Sequence, residues 1–408
     1  MKKNLLLMGL SRVIVNDIID EAENIDIYII EEEELYYKNG LDTYESPMIK
    51  KILFSKYIDS DEYMNEVNKL KKEIQIHGVV PVRDYAVRAA ANAAEILGVP
   101  GLGSENGKIL TNKCLLREAC VRHNIPHPRF QKINKLDELK DFYRGKPVIF
   151  KPATLQASLG ISKINCMDDI KVAWENTTST EEQNSKTVSR NIFRENIAEE
   201  FIGGFEVSVE TFVKDGEIVF NNITKKLTFD NTFAEKGHTA PACLEKELEE
   251  KIFQAKKKFV KSLKIGSGLL HSEWKIENGL PVLIECAGRG PGDYIHKIIE
   301  YSYGFDFFKE MCNMLIGNEF NINTVPTKVS RVRYFEPSEG LLKEIKGLES
   351  LNKEEVKHWE IDVKVGDYIN KVVSSWTRVG YFIVSADTIE EVEEITEEIM
   401  RSVEFIIE

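Results

Sequence analysis

Two glutamates twelve residues apart, Glu273 and Glu285, stand on the two arms of an apparent β-hairpin that runs into Arg289-Gly290-Pro291-Gly292-Asp293. Trp274, Ile276, Val282, Ile284 and Cys286 alternate with Glu273, Lys275, Leu283 and Glu285, the two-residue period of half-buried strands. Asn278-Gly279 lies between the arms, and glycine accepts the positive φ that a tight loop or its bulge requires. Register decides what the acids can do. A three-residue loop, Glu277-Asn278-Gly279, pairs Ile276 with Leu280 and leaves the two acids on one face as diagonal neighbours, roughly 7–8 Å apart. A two-residue loop puts them on opposite faces. The three-residue loop is the expectation here.

Two ionised carboxylates at that spacing repel unless a cation lies between them. A set of oxygen ligands suits Mg²⁺, which keeps waters and bridges carboxylates to nucleotide phosphates. Taken alone, the pair reads better as a solvated strand face carrying ordinary charges, so the rest of the chain has to weigh in. At 408 residues and 42% hydrophobic content the chain suffices for two or three packed domains. A formal charge of −13 argues against a general nucleic-acid binder, which needs basic surface to displace counterions. The six cysteines show no CxxC spacing and several lie in apolar runs, which points to reduced buried thiols and a cytoplasmic protein. The run Leu5-Leu6-Leu7-Met8 is too short for a secretory signal, and no stretch approaches the roughly 20 apolar residues of a membrane span.

Three parts are expected: 1–110, 111–320 and 321–408. The first reads as α/β, with strand runs at Leu5–Met8, Ile25–Ile30 and Gly78–Val82 and an Ala-rich helix from Tyr85 to Leu97. Gly98 caps that helix and Pro100 follows. The turn after the first strand, Gly9-Leu10-Ser11-Arg12, has no GxGxxG, so a dinucleotide fingerprint is not supported. The middle part offers a helix from Lys113 to His123, a hairpin about Lys214-Asp215-Gly216-Glu217, and helices over Lys246–Leu263 and Ile295–Gly317. Residues 176–190 are polar and low in aromatics and read as a mobile loop. The last part reads as α+β with no obvious reactive cluster.

Val148-Ile149-Phe150-Lys151-Pro152 is a buried strand ending in a lysine, followed by small residues through Ser158-Leu159-Gly160. Such a lysine can reach one phosphate oxygen while small residues let backbone N–H groups approach the others, although a surface lysine beside a loop fits as well. This is not a Walker A loop. Lys113 is either a second cation or a solvated helix position. In Glu199-Glu200-Phe201-Ile202-Gly203-Gly204-Phe205-Glu206, an apolar strand breaks at two glycines and resumes. The break frees backbone groups for a base edge, or it is a plain β-bulge.

These pieces in this order resemble the ATP-grasp superfamily of carboxylate–amine ligases, over roughly residues 80–320. Gly237-His238-Thr239-Ala240-Pro241-Ala242 and the long C-terminal segment look most like the dipeptide-forming L-amino-acid ligases of the alanine–anticapsin ligase type. The resemblance implies an ATP-grasp fold with a Rossmann-like domain before it and an α+β segment after it. It implies that Lys113 and Lys151 hold ATP phosphates while the loop with Ser158 and Gly160 closes over them. Adenine would be read by the Glu199 side chain, the Glu200 carbonyl and the Ile202 N–H, with Glu206 on the ribose. Glu273 and Glu285 would hold Mg²⁺ (Mn²⁺ as an alternative), and Arg289 would stabilise the transferring phosphoryl group. One departure stands out: Ala287 occupies the position where many relatives carry a third metal ligand, asparagine.

The implied chemistry converts a carboxylate into an acyl phosphate, which a neutral amine then attacks, giving amide, ADP and phosphate. His238, His271 and Asp293 are candidates for handling the amine and its proton, and a lone histidine is more often structural. His238 gains weight from an apparent Gly/Pro-rich loop. The expected partners are small-molecule carboxylates and amines, amino acids among them, with no nucleic acid or membrane; a homodimer is compatible. A ligase of purine-type metabolism and a non-catalytic ATP sensor are the competing readings. A biotin-dependent carboxylase is disfavoured, because the loop after Lys151 is not a glycine run.

Overall fold

The computed structural model describes residues 2–21, 23–156, 158–180, 188–190, 194–229, 234–372 and 375–408. Nineteen strands are found among them. β1 (Lys3–Met8), β2 (Ile25–Glu31), β3 (Ile49–Phe54) and β4 (Gly78–Pro81) form a parallel sheet in the order β3-β2-β1-β4. β1 is apolar at consecutive positions because both its faces are covered. Leu5 and Leu7 join one core with Ile27, Ile29 and Met311, whereas Leu6 and Met8 join another with Ala89, Ala90 and Ala93 of the Ala-rich helix Val87–Leu97. The sequence reading missed β3. Its Lys50 and Lys51 break the apolar pattern, as edge strands do when they discourage pairing with other chains.

β5 (Phe130–Ile133), β6 (Val148–Pro152), β7 (Ser162–Ile164) and β8 (Asn196–Glu200) make a small antiparallel sheet ordered β5-β8-β6-β7. The next strands are β9 (Phe205–Lys214), β10 (Glu217–Thr228), β11 (Glu235–Ala240), β12 (Gly268–Glu277), β13 (Leu280–Ala287) and β14 (Val329–Tyr334). β15 (Gly340–Lys346), β16 (Val356–Ile361), β17 (Tyr368–Ile369), β18 (Gly380–Ala386) and β19 (Glu404–Ile407) complete the set. A large sheet runs β13-β12-β9-β10-β11-β14-β18-β16, so three C-terminal strands extend the central sheet. β17, β15 and β19 form a separate sheet of three.

Gly203-Gly204 is neither a strand interruption nor a bulge. β8 belongs to the small sheet and β9 to the large one, and the glycines carry the chain between them. Gly204 has φ +73°, and a Cβ there would lie 1.9 Å from the Ile276 carbonyl oxygen. The two sheets therefore meet at a point only glycine can occupy.

The helix expected over Ile295–Gly317 is two, Ile295–Tyr303 and Phe307–Ile316, broken where Gly304 turns at φ +71°. Of the polar stretch 176–190, the first residues end the helix Asp169–Ser179, and 181–187 lie outside the described residues. Among the described residues no helix is long and apolar enough to cross a membrane.

Gly204→Ala combines a left-handed backbone with a backbone collision, so it is expected to destabilise the protein by about 2 kcal/mol or more. Equilibrium urea unfolding of the variant against the parent measures this directly.

Candidate active site

The hairpin loop holds two residues, not three. Glu277 pairs with Leu280 and Ile276 with Pro281, against the expected pairing of Ile276 with Leu280. Continued unbroken, this register would set Glu285 opposite Ser272, on the wrong face. It is broken between Glu273 and Trp274: Trp274 pairs with Leu283 while Glu273 pairs with Glu285, leaving Ile284 as an extra residue. This β-bulge returns Glu285 to a position directly across from Glu273. On the loop side of the bulge the shorter loop exchanges the buried set, Pro281 and Leu283 being buried while Val282 and Ile284 are only half-buried; beyond it Cys286 is buried as expected.

β13 is the edge of the large sheet, and its outward groups are satisfied from outside the sheet. Leu283 N–H donates to the Pro126 carbonyl at 2.9 Å, and Arg117 Nη2 donates to the Ile284 carbonyl at 2.5 Å. Arg117 stands one turn beyond Lys113 on the helix Lys113–His123, whose N-cap Asn112 accepts from the Cys114 and Leu115 N–H groups. Lys113 is no solvated helix position. It is buried, with Nζ 2.9 Å from Glu285 Oε1 and donating to the Leu155 carbonyl at 2.8 Å.

Lys151, at the end of β6, is equally buried and lies 2.8 Å from Glu199 Oε2, while Arg117 Nε donates to Glu199 Oε1 at 2.7 Å. Burial pushes the Glu199 carboxyl up, but Arg117 and Lys151 outweigh it and hold the group at about 2. Both oxygens of Glu199 are thus met by cations, and the side chain holds Lys151 in place. Glu200 and Ile202 line the same cleft. Ser158 and Gly160 both turn through left-handed backbone, φ +59° and +67°, after the strand-end lysine.

Lys226, on β10, escaped the sequence reading. Its ammonium sits among three carboxylates: Glu206 at 2.6 Å, Glu273 at 3.0 Å and Glu235 at 3.2 Å. Burial works against its charge, yet Glu206, Glu273 and Glu235 raise its pKa well above the ordinary lysine value. Lys225-Lys226 looks like the solvated end of a strand. The available signal was that Asn222 and Thr224, four and two positions back, are polar residues on the same face; both are fully buried. Glu206 is held by Lys226 and, at 3.5 Å, by Lys275.

Arg289 donates to the Asp84 carboxylate at 2.7 Å and to the Gly290 carbonyl at 2.6 Å. His238 lies in β11, not in a loop, with Nε2 3.2 Å from Asp293 Oδ2 and Nδ1 buried without a partner. Asp293 is gripped by Arg378, whose two terminal nitrogens lie 3.0 and 2.6 Å from its oxygens. Burial opposes ionisation of Asp293, but His238 and Arg378 prevail and hold its carboxyl well below the usual range. Arg378 stacks 3.6 Å over the Tyr334 ring, and the nearby Ser375 hydroxyl donates to Glu235 at 2.6 Å. The last segment, where no obvious reactive cluster was expected, thus sends Ser375 and Arg378 to the cleft. His271 sits beside the acid pair, with Nδ1 2.9 Å from Glu210 and Nε2 3.9 Å from Glu273.

One cleft of about 910 Å³ is lined by every candidate nucleotide, metal, substrate and catalytic residue proposed from the sequence except Gly160. Among the described residues no group of three or more His, Cys, Asp or Glu side chains forms a metal cage. The facing pair Glu273 and Glu285 is therefore a set of two carboxylates.

Three family models match the chain: an ATP-grasp N-terminal domain over residues 23–101, an ATP-grasp domain over 144–297 and an L-amino acid ligase C-terminal domain over 333–408. The chain belongs to the ATP-grasp superfamily. This ATP-grasp chain is 25% identical over 283 residues to alanine–anticapsin ligase of Bacillus subtilis, across 64% of its own length and 59% of the relative's. It therefore spans less than two thirds of the length of the first relatives it matches. An L-arginine-specific L-amino acid ligase of Bacillus subtilis is 22% identical over 304 residues, 73% of this chain and 72% of the relative. Its ATP-grasp fold is matched by the crystal structure of an L-amino acid ligase from Bacillus licheniformis, with a TM-score of 0.80 at 20% identity over 100% of this chain and 99% of that one. A phosphoribosylglycinamide synthetase from Anaerococcus prevotii follows at a TM-score of 0.70 and 19% identity, covering 100% of both chains.

The buried Glu199 makes acid stability a test of the Arg117–Glu199–Lys151 chain. A carboxyl held below its ordinary value of 4.5 stabilises the fold above that pH, and the contribution is lost as pH falls towards about 2. Urea unfolding at a series of pH values should show a flatter acid limb for Glu199→Gln than for the parent.

Proposed function

We propose that this protein is an ATP-dependent carboxylate–amine ligase that joins amino acids, with ADP and phosphate as the other products. The observation that carries the reading is the convergence on one cleft of two facing carboxylates, two buried lysines, a third lysine with its side chain 9% exposed and an oriented arginine. In this reading residues 1–110 contribute Asp84, residues 111–320 the nucleotide site and residues 321–408 the Arg378–Asp293 wall.

Glu273 and Glu285 fit Mg²⁺ as a facing, oxygen-only pair with room left for water and phosphate. Bound there, the ion would neutralise charge developing on the transferring phosphoryl oxygens. Lys113 and Lys151 hold the phosphates, and the loop carrying Ser158 and Gly160 covers them and excludes water. The backbone of Glu200 and Ile202 reads the base edge, and Glu206 accepts from ribose hydroxyls while Lys226 and Lys275 hold it. Arg289, oriented by Asp84, stabilises the phosphoryl group in transfer and the acyl phosphate that results. An attacking amine must be neutral, and His238, steadied by Asp293, takes its proton.

Amino acids as substrates are supported by the names of the relatives and by the C-terminal match. Phosphate release across a matrix of amino acids, offered singly and in pairs and followed by product mass, tests the reading. Release only with certain pairs, with a product of dipeptide mass, is expected; nucleotide binding without turnover would identify a sensor instead. Glu285→Gln should lower turnover at least about 100-fold by weakening the metal site. Arg378→Met should lower kcat/KM for the amino acids about tenfold or more while KM for ATP changes little, because Arg378 bears on the Asp293 end of the cleft.

A further inference from the structure

Arg83 lines the cleft beside Asp84. It leaves the carboxyl end of β4, and Glu31 ends β2, so both stand at the edge of the parallel sheet where open α/β sheets take their ligands. Arg83 Nη2 donates to Glu31 Oε2 at 2.9 Å and to the Leu10 carbonyl at 3.4 Å. Glu31 is fully buried and also accepts from the Leu10 N–H at 2.9 Å, the Glu32 N–H at 2.8 Å and the Tyr57 hydroxyl at 2.8 Å. A carboxylate has roughly four acceptor positions, so Glu31 is filled and holds the guanidinium rigidly from behind.

The other two nitrogens of Arg83, Nε and Nη1, have no partner among the described residues, and both are open to solvent. The other arginines of the cleft are committed. Arg378 gives both terminal nitrogens to Asp293, and Arg289 gives one to Asp84 and one to the Gly290 carbonyl. Lys113, Lys151 and Lys226 each sit on a carboxylate of this chain. Arg83 therefore offers the cleft a positive group held on one side and unoccupied on the other.

We propose that Arg83, backed by Glu31, receives the free α-carboxylate of the amino acid that supplies the amine. The inference rests on the ligase reading and deepens it by naming the residue that selects the amine substrate and the group it selects. An amino acid joined through its nitrogen keeps its own carboxylate, and that charge needs a cation once it leaves bulk water. Arg83 and Asp84 are consecutive, and Asp84 orients the Arg289 guanidinium at 2.7 Å. A carboxylate on Arg83 is thereby anchored near the group assigned to the acyl phosphate, which is where its amine has to arrive. Gly9 gives the guanidinium its place. It turns at φ +90°, and a Cβ there would lie 2.4 Å from Val82 Cγ2 and 3.4 Å from Arg83 Nε.

The test uses the full chain and the amino-acid pair that yields dipeptide, with product fragmentation showing which member supplied the amine. That amino acid is compared with its own primary carboxamide, which has the same amine and no charge. The parent should use the carboxamide at least about 100-fold less well in kcat/KM. Arg83→Gln should lower kcat/KM for the amino acid about 100-fold, mainly through KM, and leave the carboxamide within about threefold. KM for ATP should change little. Comparing the two substrates in both proteins cancels their intrinsic difference in reactivity, and a purely structural defect would depress both together. Arg83→Lys keeps a cation against Glu31 and serves if Arg83→Gln melts early in a thermal scan. It should still weaken the preference about tenfold, because one ammonium lacks the spread of donors that serves Glu31 and a ligand at once. An unchanged preference in a folded variant overturns the proposal while leaving the ligase reading intact. So does a parent that uses acid and carboxamide equally. No dipeptide from any pair overturns the ligase reading and the proposal with it.

Discussion

At Ile284 the edge strand carries one residue with no counterpart across the ladder, and the charge pattern of the cleft follows from it. The extra residue turns Glu285 towards Glu273, and the carbonyl it displaces is received by Arg117. A bulge leaves unsatisfied groups at a sheet edge, and a buried acceptor without a donor costs about 1–3 kcal/mol. A fully buried arginine is therefore a fitting partner, provided its own charge is met. Glu199 meets it at 2.7 Å, and Lys151 in turn meets Glu199. The chain Ile284–Arg117–Glu199–Lys151 thus joins the edge of the large sheet to the small one.

Lys113 repeats the arrangement one helical turn away, bonded to Glu285 on the large sheet and to the Leu155 carbonyl after the small one. Residues four apart on a helix share a face, so one short helix presents two cations to the line where the sheets meet. Gly204 brings the sheets into backbone contact nearby, beside Ile276. Buried ions of this kind are marginal for stability when intact and cost about 3–5 kcal/mol when one partner is removed. Their value here is geometric, because each cation fixes a carboxylate or carbonyl at the line where the two sheets meet.

Much of this was legible in the chain. The parallel first sheet, the Lys113–His123 helix, the Asp215-Gly216 turn and the glutamate pair all follow from local periodicity and turn chemistry. The errors fell where a strand count meets a neighbour. The hairpin loop was one residue shorter than expected, and a bulge compensated, so the expected face was reached by a different route. Lys226, Arg117 and Arg378 were missed because each is one charged residue in a locally ordinary segment, and their partners lie 9 to 85 positions or more away in sequence. The Arg117 and Lys151 partners of Glu199 went unforeseen for the same reason.

The sequence by itself determined the kinds of element, the polarity of the cleft and the identity of a set of charged residues that line it, because these depend on spacing along the chain. Only the tertiary structure decided which charge meets which. Ion pairing depends on distance in space, and three surfaces far apart in sequence, at residues 84, 113–117 and 375–378, converge on β12 and β13 and the turn that follows them. No local pattern encodes that convergence, since it arises from sheet order and a bulge whose register is set by packing on both sides.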